Sequence, residues 1–179
     1  LVDIRAVHRR DVIFRVGALP DQKSGDPILA VRANDKVRIR QAGGEKVIGV
    51  DIYVPDDLRE RLQSHGPLSD RIVLLKGSSV EEETVKRIQA LVGGSRKVLV
   101  ILDSFHAHDH VLRELRLYAP LVGPGHYLIC SDTVIEYQPE ADYRPRPWGR
   151  GNNPKTALDA FLRENDRFVV DRAVDDKLL

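Results

Sequence analysis

The feature that most constrains this sequence is a series of short apolar runs, each closed by an acid or a glycine. Lys46-Val-Ile-Gly-Val-Asp-Ile52, Arg71-Ile-Val-Leu-Leu-Lys-Gly77, Lys97-Val-Leu-Val-Ile-Leu-Asp103 and His126-Tyr-Leu-Ile-Cys-Ser-Asp132 are of this kind. None of them alternates strictly between apolar and polar residues. A strand with one wet face alternates, whereas a strand covered on both faces reads as an almost continuous apolar run, as in parallel sheets with helices on their faces. Asp11-Val-Ile-Phe-Arg-Val-Gly17 and Phe168-Val-Val-Asp-Arg172 read as two further short strands.

Helical segments separate the runs. Pro55 to Ser64 reads as a short helix. Ser79 stands three residues before Glu82, the spacing of a capping box, and predicts a helix to about Val92 that Gly93-Gly94 closes. Residues 107–122 are helical, with Val111, Leu112, Leu115 and Tyr118 or Leu121 on one face, and Gly123-Pro124-Gly125 breaks the chain after them. Asn153 caps a helix with Pro154 at its first position, running to about Asn165. The stretch 18–44 is poorly periodic, and only a weak helix near 28–40 is expected there. Residues 133–152 read as a loop too long to be a mere connector.

Strands alternating with helices imply right-handed crossovers. The expected fold class is therefore α/β, a doubly wound, mostly parallel sheet with helices on both faces. The 179 residues suit one domain spanning the whole chain.

Bulk properties narrow the function classes. A net charge of +1 gives no strong field for nucleic acid or a membrane surface, and self-association is left open. The single cysteine, Cys130, excludes an internal disulfide and favours a reducing, cytoplasmic setting. No apolar stretch of about 18 residues predicts a transmembrane helix, and no signal peptide is visible at the start. The chain begins at Leu1 and contains no methionine, so residues are expected beyond the ends of this sequence.

In open α/β sheets, ligands bind beyond the carboxyl ends of the strands. That rule selects Gly17, Asp51, Gly77-Ser78-Ser79, Asp103-Ser104 and Ser131-Asp132. An acid such as Asp51 can accept both hydroxyls of a ribose, and Gly17 would let a cofactor approach the backbone. Ser78 and Ser79 are candidates for cofactor contact, although helix capping already accounts for Ser79. Asp103 and Asp132 offer hard oxygen ligands suited to Mg2+, which can lower the pKa of a bound hydroxyl. Two solvated strand-end aspartates are the plain alternative. Three histidines lie in Asp103-Ser-Phe-His-Ala-His-Asp-His110. His106 and His110 are spaced to share a helix face. His106 has the intrinsic pKa of a general base, whereas His110 reads as a residue satisfying a helix or core hydrogen bond. No His-Glu-x-x-His is present, so zinc is disfavoured. Arg144, Arg146, Trp148 and Arg150 can grip a ring-bearing or anionic ligand, or form a solvated loop.

The block from Leu102 to Ile129, with its Leu-Asp-Ser-x-His and following His-Val, resembles the cephalosporin hydroxylase / rhamnosyl O-methyltransferase family. Gly151-x-x-Pro-Lys-Thr-Ala-Leu-Asp-Ala-Phe-Leu162, Phe168-Val-Val-Asp-Arg172 and Gly49-Val-Asp-Ile52 are similar to it too, in the expected order. The resemblance covers roughly 46–176. It implies a Rossmann-like fold, S-adenosylmethionine as cofactor, Asp51 on the ribose, cofactor contact at Asp103, and a divalent metal at Asp103 and Asp132. The acceptor it implies is a hydroxyl of a sugar or secondary metabolite. It also implies an acid just before Asp132, where this sequence has Ser131, an acid where Arg15 stands before Gly17, and a further strand beyond Leu179. Two alternatives remain: a non-catalytic binding or scaffold descendant, and an NAD(P)-dependent oxidoreductase, disfavoured by the missing Gly-x-Gly-x-x-Gly.

Overall fold

The computed structural model describes residues 12–16, 28–30, 46–63, 66–95, 97–139 and 146–172. The apolar runs form strands β3 (Val47–Asp51), β4 (Ile72–Lys76), β5 (Val98–Leu102) and β6 (Tyr127–Cys130). Three shorter strands join them, β1 (Val12–Val16), β2 (Ile28–Ala30) and β7 (Phe168–Val170). Together they make a seven-stranded sheet in the order β4-β3-β2-β5-β6-β1-β7. The pairs β2–β3, β3–β4, β2–β5 and β5–β6 are parallel, whereas β1 runs antiparallel to both β6 and β7.

The strand order places the candidate residues. After β2 the chain builds outward through β3 and β4, then returns to the other side of β2 for β5 and β6. These strands are parallel, so their carboxyl ends share one edge. Asp51 is level with Lys76, and Leu102 is level with Cys130. Asp103 and Asp132 therefore leave the sheet at neighbouring positions.

Helices α1 (Asp56–Gln63), α2 (Glu82–Val92), α3 (His108–Tyr118) and α4 (Pro154–Glu164) connect the strands. α2 buries Thr84, Val85, Ile88 and Val92, spaced for one helical face. α3 buries Val111, Leu115 and Tyr118 on the expected face, and Glu114 with them. α4 starts as its sequence predicts. Asn153 accepts from the backbone N–H groups of Lys155 and Thr156, and Pro154 follows it. The core joins β3–β6 to α2, α3 and α4 through Leu75, Val100, Leu115, Leu128, Leu158 and Phe161 among others. Among the described residues, no helix is long and apolar enough to cross a membrane.

Four expectations change. The weak helix near 28–40 is a strand at Ile28–Ala30, and the rest of that span lies outside the described residues. Pairing with β3 on one side and β5 on the other outweighs a marginal local helix preference. The capping box from Ser79 is not made: Glu81 is the N-cap of α2 and makes no side-chain cap bond. His106 precedes α3, so it and His110 do not share a helix face. The 133–152 loop is partly regular, with a short 3-10 helix at Thr133–Tyr137 and a bridge pairing Gly149 with Asn152. Residues 140–145, which include Arg144, lie outside the described residues.

Leu115 is fully buried between the sheet and the helices. Leu115→Ala should cost about 3 kcal/mol of unfolding free energy, the usual loss for a leucine whose site cannot collapse. Urea titration followed by circular dichroism measures it.

Candidate functional site

Two aspartates and a histidine meet at the ligand edge of the sheet. Asp103 immediately follows β5, and Asp132 lies two residues beyond β6. Asp132 has a φ of 57°, the left-handed region, which aspartate tolerates better than most residues. His106, 7% exposed, sits between the two carboxylates. Its Nε2 lies 3.0 Å from Asp132 Oδ2 and 3.3 Å from Asp103 Oδ1. Burial by itself lowers the imidazole pKa, but hydrogen bonds to Asp103 and Asp132, and the charges of both, outweigh it and raise the value to about 9. His106 Nδ1 is buried without a hydrogen-bond partner. One ligand atom from each of the three residues falls within 4.8 Å of the others. Two carboxylate oxygens and an imidazole nitrogen are a fitting donor set for a divalent cation.

A polar layer, buried at Glu114 and Tyr118 and exposed at Ser104, lies next to this cluster. His110 Nε2 is 3.1 Å from Ser104 Oγ and 3.2 Å from Ser79 Oγ. Ser104 donates to Glu114 Oε1 at 2.7 Å. Glu114 is 1% exposed, and its Oε2 has no partner. Tyr118 donates its hydroxyl proton to the Ser79 carbonyl. Burial, then the nearby Glu114 charge, raise the Tyr118 pKa. The layer thus ties the turn after β4 to the loop after β5 through α3. His110 makes side-chain hydrogen bonds with two serines, at the half-buried edge of α3 rather than in the core.

Asp51 ends β3 half-buried. Its Oδ1 accepts from the Tyr53 backbone N–H at 2.9 Å, and its carbonyl accepts from Gly77 N–H at 3.0 Å. Ile52 and Tyr53 are 74% and 66% exposed beside it. Ser78 and Ser79 occupy the turn after β4. Asp51 and these serines share this edge of the sheet with the His106 cluster. Gly17 lies outside the described residues.

An aromatic wall flanks His106. The Trp148 ring meets the His106 ring edge-on at 5.4 Å and the Phe105 ring at 5.0 Å. The Arg146 guanidinium lies 5.6 Å from the Trp148 centroid. Phe105 is 44% exposed. Sequence reading singled out Trp148 and Arg146 but missed Phe105, Glu114 and the contact of His106 with both aspartates. The Asp103-x-x-His106 spacing next to a second strand-end aspartate was the available signal for that contact. Glu114 was visible at the spacing of the buried face of α3.

Sheet order and donor cluster together describe an α/β protein with a mostly parallel sheet and, at the carboxyl ends of β5 and β6, a cluster that could hold a metal ion. The chain belongs to the Rhamnosyl O-methyltransferase/CmcI family, whose model matches residues 25–179. It is 29% identical over 114 residues to the rhamnosyl O-methyltransferase of Mycobacterium tuberculosis (strain ATCC 25618 / H37Rv), covering 63% of this chain and 44% of that protein. The same figures hold for the rhamnosyl O-methyltransferase of Mycobacterium bovis (strain BCG / Pasteur 1173P2). That of Mycobacterium leprae (strain TN) is 35% identical over 82 residues, covering 46% of this chain and 32% of the relative. The chain therefore spans less than half the length of these relatives. No solved structure matches it.

Gly77 opens the turn that carries Ser78 and Ser79. A Cβ there would run into Thr84 Oγ1, on a side chain that is itself buried in α2. Gly77→Ala should lower stability by about 1–3 kcal/mol through overpacking. Thermal unfolding should show the loss, and Gly77→Ser should show at least as much.

Proposed function

We propose that the chain is the sheet-bearing part of an S-adenosylmethionine-dependent, Mg2+-assisted O-methyltransferase acting on a hydroxyl of a small molecule. The observation that carries this reading is the meeting of Asp103, His106 and Asp132 at the carboxyl ends of adjacent parallel strands. Family membership supports it independently. The reversal of strand order beside β2 reads as a Rossmann-like, doubly wound sheet, whose crevice is the usual ligand position.

Each residue then has a role. Asp51 would accept hydrogen bonds from the ribose hydroxyls of the cofactor. Ser78 and Ser79 would contact it, and Gly17 would let it approach the backbone closely. Asp103, which also borders the cofactor, and Asp132 would hold the divalent ion, with His106 Nε2 beside them. When bound, the cofactor supplies a methyl group on a sulfonium and the ion supplies a Lewis acid that favours the ionised acceptor hydroxyl. The chain's own contribution is positioning and charge balance. As placed, His106 Nε2 holds a proton between Asp103 Oδ1 and Asp132 Oδ2, which keeps the two carboxylates together. His106 acts as a base only after that proton has left. The rhamnosyl O-methyltransferases among the relatives make a sugar hydroxyl the first acceptor to test.

A non-catalytic descendant is the second reading. It is favoured by Ser131, buried at the position where the family resemblance implies a metal-site acid. Methyl transfer to any sugar or hydroxylated metabolite would rule it out.

Calorimetry on the full-length protein tests the first reading. S-adenosylmethionine should bind, and Asp51→Ala should weaken it by about 10-fold or more, the loss of charged hydrogen bonds to two hydroxyls. Asp103→Asn and Asp132→Asn should abolish Mg2+ binding. Absence of S-adenosylmethionine binding by the wild type, with and without Mg2+, overturns the methyltransferase assignment.

A further inference from the structure

Trp148 is the sole tryptophan of the chain, and its indole nitrogen is buried without an acceptor. An unmet buried donor costs about 1–3 kcal/mol, so the surrounding structure must hold the ring there. The hydrogen bonds around it show how. Glu136, in the 3-10 helix after Asp132, accepts from Gly151 N–H at 2.8 Å and from Asn153 Nδ2. Asn153 Nδ2 also donates to the Gly149 carbonyl at 2.8 Å, and Gly149 and Asn152 exchange backbone bonds at 3.0 Å. Asn152 Nδ2 donates to the Pro147 carbonyl, one residue before Trp148, while Asn152 Oδ1 accepts from His108 N–H. Gly151, at φ 79°, permits this tight path. The bond from Gly151 N–H, then that from Asn153, lower the Glu136 pKa.

We infer that Glu136 is a positioning residue that fixes Trp148, through the Gly149–Asn153 turn, as a wall beside the Asp103–His106–Asp132 cluster on the side the acceptor enters. The geometric chain is continuous. Glu136 holds the turn, the turn holds the Trp148 ring, and the ring meets both His106 and Phe105 edge-on. The exposed Phe105 ring, packed edge-on against Trp148, offers an apolar surface for a substrate ring. The acceptor-side assignment rests on the methyltransferase reading. The positioning does not, because no ligand is needed to observe it.

Intrinsic fluorescence of the full-length protein reads Trp148 alone in this part of the chain. Glu136→Ala should shift its emission to the red and increase quenching by acrylamide, and Glu136→Gln, which can still accept both bonds, should restore wild-type behaviour. His106→Gln should brighten the emission in the wild-type background by removing a quenching imidazole, and should fail to do so once Glu136→Ala has released the ring. Circular dichroism melts run in parallel. If Glu136→Ala does not fold, Glu136→Asp, which withdraws the carboxylate from both donors, takes its place. Should the full-length protein contain tryptophans beyond this sequence, the same comparison is made with those replaced by phenylalanine. Wild-type emission and quenching in a folded Glu136→Ala, or His106→Gln brightening of equal size in both backgrounds, overturns the inference. Loss of S-adenosylmethionine binding would overturn the methyltransferase reading and leave the fluorescence result standing.

Discussion

The parallel pairing of Val98–Leu102 with Tyr127–Cys130 is the constraint on which the site depends. Leu102 is level with Cys130, and Ser131 N–H donates to the Leu102 carbonyl at 2.9 Å. That last bond continues the ladder to the point where both chains leave the sheet. Asp103 and Asp132 emerge within reach of one imidazole because the register is fixed. A strand slipped by one residue would turn every side chain to the opposite face. It would separate the two carboxylates and expose Leu128 and Cys130, now almost fully buried.

Two carboxylates close together repel each other, and burial strengthens the repulsion. His106 answers it with a proton shared between them, and its raised pKa is the electrostatic statement of the same geometry. The site is thus organised by charge before any ligand arrives. The layer beside it is organised by side-chain hydrogen bonds that converge on the Glu114 carboxylate and His110. Ser79, Ser104, His110, Glu114 and Tyr118 link the turn after β4, the loop after β5 and α3. Placing Glu114 on the buried face of α3 costs desolvation, which the Ser104 hydroxyl offsets in part.

The elements of the fold were largely legible in the sequence. The strands β3 to β6 announced themselves as short apolar runs, each closed by an acid or a glycine. The start of α4 was legible because Asn153 and Pro154 act within one turn of chain. The Ser79-to-Glu82 spacing misled for the opposite reason. The Ser79 hydroxyl lies against His110, thirty-one positions away, and that contact is invisible in any local window. β2 was misread because three residues carry little periodicity of their own and become a strand through their neighbours on both sides.

The candidate site divides along the same line. By itself, the sequence determined which residues stand at strand ends, because strand periodicity and terminating acids are local properties. Asp51, Asp103 and Asp132 were therefore found without a structure. Only the tertiary structure decided that His106 faces both aspartates, that Trp148 and Phe105 wall the cluster, and that Glu136 holds the turn behind them. Those contacts depend on strand register and on the left-handed backbone at Asp132, which bring together groups that are far apart along the chain.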